Sequence, residues 1–86
     1  MPVISAFFGI LIRMYYQEHD PAHFHAEHGG DHATFTFDGA LLAGTIRSRR
    51  ARRDIAAWAA LHRRELEANW AAMKRGAALE RIPPLQ

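Results

Sequence analysis

The sequence predicts an α+β fold, a two-layer module in which an antiparallel β-meander of about five short strands packs on a long C-terminal helix. Two observations predict it. Residues 3–46 are rich in aliphatic, β-branched and aromatic residues that turn-forming residues interrupt at short intervals. Residues 48–75 instead place apolar residues every three or four positions, which is typical of an amphipathic helix. One domain is therefore expected over residues 1–76, followed by an extended, proline-containing tail at 77–86.

Turn signals divide the first half of the chain into strands. Glycine tolerates the backbone conformations that tight turns need, and Asp-Pro and Asp-Gly pairs favour turns. Such signals occur at Gly9, Asp20-Pro21, Gly29-Gly30-Asp31 and Asp38-Gly39. The apolar segment 1–12 lacks the basic region and cleavage site of a signal peptide and is too short to span a membrane, so it is interpreted as strand.

The alternation within the strands predicts which side chains face the core. Successive residues of a strand point to opposite faces of the sheet. Apolar residues that occupy every second position of the third and fourth strands are Phe24, Ala26, Ala33, Phe35 and Phe37. The alternate residues His23, His25 and Glu27 are then predicted to lie on the open face of the sheet.

The helical segment has a recognisable start and end. Ser48 is suited to cap its first turn, and Gly76 is suited to stop it. The apolar stripe consists of Ile55, Ala59, His62, Leu66, Trp70 and Met73. His62 and Asn69 are interpreted as polar groups that are buried with hydrogen-bond partners. A segment of this length is open to a kink or a division near His62, and the tail beyond it is able to pack back onto the domain.

The composition excludes several functional classes. The chain has 86 residues and no cysteine, so it can build one small core but no disulfide, zinc finger or thiol nucleophile. It has no glycine-rich phosphate loop and no serine in a recognisable nucleophile turn, and no cofactor is expected. The cytoplasm is the expected location, without membrane association.

Positive charge is concentrated at the start of the helix. The formal net charge is only +2, but five arginines fall within seven residues: Arg47, Arg49, Arg50, Arg52 and Arg53. Each cation there opposes the helix dipole by about 0.3–1 kcal/mol, so an anionic partner is expected to compensate. Nucleic-acid phosphates or an acidic protein would serve equally well. The alternative is a solvated helix end with local pairs such as Arg50 with Asp54.

Five of the six histidines fall between residues 19 and 32. An imidazole beside a second imidazole or a carboxylate can perform the acid–base steps of metal-free ribonucleases, with an arginine on the phosphate. Catalytic candidates are therefore His23, His25, Glu27 and Arg13. The plain alternative is a polar strand face with ordinary hydrogen bonds.

Metal binding is a third interpretation of the same strand. His23, His25 and Glu27 are the candidate ligands, since imidazole nitrogens and carboxylate oxygens suit divalent transition metals. Residues that share one face of a straight strand lie roughly 7 Å apart. A site would therefore need a bulge or a ligand from another segment, and no metal site is assigned from the sequence.

The whole chain resembles the family of short prokaryotic proteins known as domain of unknown function 4160. The stretches that carry the resemblance are Pro2-Val3-Ile4-Ser5, Phe8-Gly9-Ile10, Ile12-Arg13-Met14, the segment from His19 to Glu27 followed by Gly29, the segment from Trp58 to Leu66, and Asn69-Trp70. In this family, histidine is typical at four of the positions that hold it here, namely His19, His23, His25 and His62.

The resemblance implies a partner rather than a reaction. The family has no established activity, and its genes often stand beside a gene for another small uncharacterised domain, in an arrangement similar to a toxin–antitoxin pair. It therefore implies a prokaryotic cytosol and a partner protein from the neighbouring gene.

Three functional hypotheses follow. The leading one is a small non-enzymatic binding module of a toxin–antitoxin-like pair, which uses the open sheet face, His19 and the five arginines to engage a partner protein and, as a further ligand, nucleic acid. A metal-independent, histidine-dependent ribonuclease toxin is the alternative, and a metal-binding module is the second alternative. Self-association into a homo-oligomer is left open.

Overall fold

Five antiparallel strands form one sheet in which every strand pairs with its neighbours along the chain. The structure is a computed structural model that describes residues 2–86, so that Met1 of the expected domain lies outside the described residues. The elements in chain order are β1 (Val3–Phe7), β2 (Ile10–Arg13), β3 (His23–His28), β4 (Asp31–Thr36), β5 (Leu41–Thr45), α1 (Arg49–Leu61) and α2 (Arg63–Lys74). The α+β class and the five-stranded meander are confirmed.

The register of the sheet confirms the predicted faces. Phe24 lies opposite Phe35, and His25 lies opposite Thr34, on either side of the hairpin turn at Gly29 and Gly30. Aromatic residues therefore meet on one face of this hairpin, while polar residues meet on the other. The core residues on the strands are Ile4, Phe7, Ile10, Ile12, Phe24, Ala26, Ala33 and Phe35, and all of them are buried, as is Met14 directly after β2.

One glycine allows the edge strand β5 to approach β4 closely. Gly44 has a φ of +78°, and a Cβ at this position would lie 2.3 Å from the carbonyl oxygen of His32. Any other residue would combine a left-handed backbone with a steric clash.

The long helical segment expected from the sequence is divided into two helices, which meet at His62, where the sequence left a kink or a division open. This residue has φ −115° and ψ 28°, and it ends α1 and precedes α2. A continuous helix from residue 49 to 74 would be roughly 39 Å long, whereas the Cα atoms of the whole chain extend over 34 Å. Division of the helix lets both halves bury residues against the same core: Ala51, Ile55, Trp58 and Ala59 from α1, and Leu66 from α2.

The extended tail packs back onto the domain. Ile82 is buried, and its backbone N–H donates to the carbonyl oxygen of Ile4 at 2.7 Å. Asn69 of α2 binds both backbone groups of Glu80, each at 2.9 Å. The tail therefore supplies the partners of a buried amide, and the interpretation of Asn69 as a satisfied buried polar residue is confirmed. His62 is also hydrogen-bonded, to the carboxylate of Glu65.

Neither helix within residues 2–86 combines the length and the apolar character that crossing a lipid bilayer requires.

Replacement of Asn69 by alanine is expected to lower the free energy of unfolding by about 1–3 kcal/mol, because two hydrogen bonds between a buried side chain and the tail backbone are lost. Urea denaturation followed by tryptophan fluorescence measures this change. Arg64→Ala is the matched control, since Arg64 is exposed on the same helix, and its effect is expected to stay within about 0.5 kcal/mol. Equal effects of the two substitutions would contradict a specific role of Asn69.

Candidate functional site

One carboxylate oxygen joins the two histidines of β3. Oε1 of Glu18 lies 2.7 Å from Nε2 of His25 and 3.3 Å from Nε2 of His23. The three potential metal-ligating atoms lie within 4.8 Å of one another. Glu18, His23 and His25 are called the histidine site below.

The core and two aromatic side chains position the imidazoles. Phe24, which separates them in sequence, is fully buried, so the flanking histidines point away from the core with ring centroids 5.2 Å apart. The ring of His23 contacts Trp70 of α2 at 5.3 Å, and the ring of His25 contacts Tyr15 at 4.5 Å, both edge to face. The side chain of His23 is accordingly only 12% exposed, so it is less open than the sequence predicts.

The loop between β2 and β3 brings Glu18 to the histidines. Tyr16 donates a hydrogen bond from its hydroxyl to the carbonyl oxygen of Ala77 at 2.9 Å. Gln17 then adopts a left-handed backbone with a φ of 64°. Farther along the loop, Asp20 pairs with Lys74 of α2 at 3.9 Å. These contacts attach the loop to the end of α2 and place Glu18 beside β3.

The two histidines differ in their second ring nitrogen. Nδ1 of His23 lies 2.7 Å from the carbonyl oxygen of Pro21, which can only accept, so Nδ1 carries a proton. In a neutral ring, Nε2 then presents a lone pair to the carboxylate of Glu18, and this contact is favourable only with a proton or a cation between the two atoms. His25 can donate from Nε2 to Glu18 while Nδ1 lies 3.4 Å from the hydroxyl of Thr34.

The histidines keep Glu18 ionised. Partial burial raises the pKa of its carboxyl, but the hydrogen bonds and charges of His25 and His23 lower it by more, and the resulting pKa lies below the ordinary value of 4.5. Glu18 is therefore a carboxylate at neutral pH.

Arg13, which lies opposite His25 in the sheet, binds Glu27. Nε of Arg13 is 2.7 Å from Oε2 of Glu27, with side chains 24% and 29% exposed. The structure thus places Glu18, rather than Glu27, with His23 and His25. Sequence reasoning missed Glu18 because it considered only the histidine-rich strand and used the nearby Asp20-Pro21 turn signal only as a strand boundary.

Ribonuclease chemistry is not favoured by this geometry. Both ring nitrogens of His23 and of His25 already have partners within the protein. Acid–base transfer needs an imidazole nitrogen within hydrogen-bond reach of the substrate. The catalytic assignment remains a prediction.

A shallow cavity of about 270 Å³ lies on the open face of the sheet beside His25. Its lining includes Tyr15, Glu27, Thr34 and Ala43. His19 is exposed, and among the contacts of residues 2–86 its side chain has none with the histidine site.

The arginine run falls into two groups. Arg47 binds the carboxylate of Asp31 through its side chain at 3.0 Å and its backbone N–H at 2.9 Å. Arg52 donates to the carbonyl oxygens of residues 46 and 47. The other three side chains are exposed and form no ion pair within the described part of the chain; they are Arg49, Arg50 and Arg53.

These three arginines surround the first turns of α1. Ser48 caps the helix by accepting a hydrogen bond from Ala51 N–H at 3.1 Å, as the sequence predicts. The first turn contains no acidic residue, and no pair between Arg50 and Asp54 occurs within residues 2–86. The positive charge at this helix end is therefore not compensated locally.

The edge strand β5 continues into this basic region. All five of its residues are exposed, and Leu41 and Leu42 are 53% and 45% exposed. The turn before β5 packs on α1, because a Cβ at Gly39 would lie 3.2 Å from Cβ of Ala56. Ala56 in turn lines a depression together with Arg49, Arg52 and Arg53.

The comparisons with known proteins assign a family but no activity. The family model described as Domain of unknown function (DUF4160) matches residues 9–71 of the chain. No curated protein and no solved structure gives a significant match.

The Asp31–Arg47 pair makes stability depend on pH. Hydrogen bonds from the side chain and backbone of Arg47 lower the pKa of Asp31 below its ordinary value of 3.8. The stabilisation is therefore present above about pH 4 and is lost as the pH falls through the lowered pKa. When the pH falls from about 7 to about 2.5, the urea unfolding midpoint of wild type is expected to decrease more than that of the Asp31→Asn variant.

Arg47→Ala removes the other partner and is expected to reduce the pH dependence in the same way. An identical loss of stability in wild type and in both variants would show that the pair does not contribute.

Proposed function

The chain belongs to the family described as Domain of unknown function (DUF4160), and we propose that it is a small non-enzymatic binding module that engages an acidic partner protein. The proposed contact surface consists of the edge strand β5 and the three unpaired arginines of α1, and is called the basic edge below. We further propose that the partner is the product of a neighbouring gene in a toxin–antitoxin-like pair in a prokaryotic cytoplasm.

The open edge of β5 supports a protein partner. An edge strand presents unpaired backbone N–H and C=O groups, and natural proteins usually protect such edges with charges, proline or a covering segment. The sequence of β5 is Leu-Leu-Ala-Gly-Thr, with neither charge nor proline. A strand of another protein can add to such an edge, and apolar side chains beside it contribute buried area.

The neighbouring arginines support an acidic partner. Arg49, Arg50 and Arg53 are exposed and have no carboxylate partner in the described chain. Complementary charges at the rim of an interface raise the association rate and fix the orientation of the partner. Acidic side chains near the helix start would also interact favourably with the helix dipole.

The combination of the two features favours protein over nucleic acid. Arginines at a helix start suit phosphates as well as carboxylates. Nucleic acid, however, offers no strand to pair with the uncharged edge of β5 and no apolar surface to cover Leu41 and Leu42. Arg49 and Arg53 lie beside Ala56, on which the turn before β5 packs, whereas Arg50 lies toward Phe8 and His28. The adjacency of the exposed apolar edge to Arg49 and Arg53 is the observation that carries the proposal.

The direct test is to measure the affinity of this protein for the protein encoded by the adjacent gene, by isothermal titration calorimetry at two salt concentrations. Replacement of Arg49, Arg50 and Arg53 by alanine is expected to weaken binding roughly tenfold, since three partly exposed charge pairs contribute about 0.5 kcal/mol each. The variant is also expected to reduce the salt dependence. If the affinity and its salt dependence are unchanged, these arginines do not contribute to the interface.

A second variant tests the edge strand. Leu41→Lys/Leu42→Lys places charges on β5 and is expected to abolish binding, since lysines on an edge oppose strand addition. Leu61→Lys is the matched control, because Leu61 is 68% exposed and lies at the other end of α1. A different outcome would identify nucleic acid as the ligand: wild type binds RNA or DNA but not the partner protein, and the arginine variant loses the nucleic-acid binding.

A further inference from the structure

We propose that Glu18, His23 and His25 form a binding site for a divalent transition-metal ion of the zinc class. This inference is independent of the proposed function, because the histidine site does not include any residue of the basic edge. It uses a ligand, Glu18, that the histidine-rich strand itself does not contain.

The distances are close to those of a coordinated ion. Zinc binds imidazole nitrogen and carboxylate oxygen at about 2.0–2.2 Å, so two ligands of a tetrahedral ion lie roughly 3.3 Å apart. Nε2 of His23 lies 3.3 Å from Oε1 of Glu18, and Nε2 of His25 lies 2.7 Å from the same oxygen. The two imidazole nitrogens lie within 4.8 Å of each other, so an outward movement of the Glu18 carboxylate together with a small approach of the two rings would admit an ion between the three atoms.

The ring orientation of His23 is that of a metal ligand. Metal-binding histidines usually donate their other ring N–H to a carbonyl or carboxylate, which directs the lone pair of the first nitrogen toward the ion. His23 donates from Nδ1 to the carbonyl oxygen of Pro21 at 2.7 Å. In the neutral ring, Nε2 therefore carries no proton and directs its lone pair at a carboxylate oxygen of Glu18. The two electron-rich atoms repel each other, and a cation bound between them removes this repulsion.

The environment limits the freedom of all three ligands. His23 lies against Trp70, and His25 lies between Tyr15 and the hydroxyl of Thr34. The contacts of Tyr16 with Ala77 position the loop that carries Glu18. Little conformational entropy remains to be lost when an ion binds, which favours affinity.

The donor set selects the class of ion. Two imidazoles and one carboxylate suit zinc, cobalt and nickel, whereas magnesium and calcium prefer oxygen ligands. Three protein ligands leave the fourth tetrahedral position open to water or to a side chain of another protein. The side chains of Glu18 and His25 are 24% and 29% exposed, so the open position can be reached from solvent.

Calorimetric titration of the untagged full chain with zinc chloride tests the proposal, and cobalt chloride provides a visible absorption signal of tetrahedral coordination. One ion per chain is expected, with no measurable binding of magnesium. Glu18→Gln and His25→Asn are each expected to weaken zinc binding by at least about tenfold. Zinc is also expected to raise the unfolding temperature of wild type, but not of these variants.

The remaining histidines provide matched controls. His19→Ala and His32→Ala alter exposed histidines outside the histidine site and are expected to leave zinc affinity unchanged. Circular dichroism of each variant establishes that it is folded, and a folded His25→Asn protein suffices if Glu18→Gln does not fold. Absence of zinc binding by wild type, or equal weakening by the control substitutions, would overturn the proposal and indicate that only a proton or adventitious ions occupy the site.

Discussion

The packing of Trp58 joins every layer of this small protein. Trp58 is the largest fully buried side chain, and its ring lies 5.6 Å from the rings of both Phe7 and Phe24. Its indole N–H donates to the carbonyl oxygen of Pro83 at 2.9 Å. A buried N–H without an acceptor costs about 1–3 kcal/mol, so the packing of the helix on the sheet and the docking of the tail depend on each other.

The same core determines the geometry of the histidine site. Phe24 stacks on Phe35 beneath Trp58, and the alternation of the strand then directs His23 and His25 outward. Trp70 connects the layers a second time, because it contacts Phe37 in the core and His23 in the site. A shift of one residue in the register of β3 would exchange core and site residues. The hydrophobic packing therefore specifies which side chains are available for chemistry.

Local patterns in the sequence were sufficient for the strands, their faces and the cap at Ser48, because these features depend on neighbouring residues. The histidine site was predicted only in part. Glu18 reaches it through a loop that depends on Tyr16 and Ala77, which are 61 positions apart, and no local pattern contains that contact. Likewise, Asp31 rather than the nearby Asp54 pairs with an arginine of the run, since the β3–β4 turn brings it there. The sequence left a kink or a division near His62 open, because the length that the helices can span depends on the size of the rest of the fold.

The order of the elements along the chain has a consequence for biosynthesis. The aromatic face of the sheet is translated first, and Trp58, which covers it, follows Phe37 by 21 residues. Pro83, the acceptor of the indole N–H, follows 25 residues after Trp58. At about 5–20 residues per second, each interval lasts roughly 1–5 s. The aromatic face of the sheet is therefore synthesised seconds before the residues that cover it, an interval much longer than isolated helices and hairpins take to form.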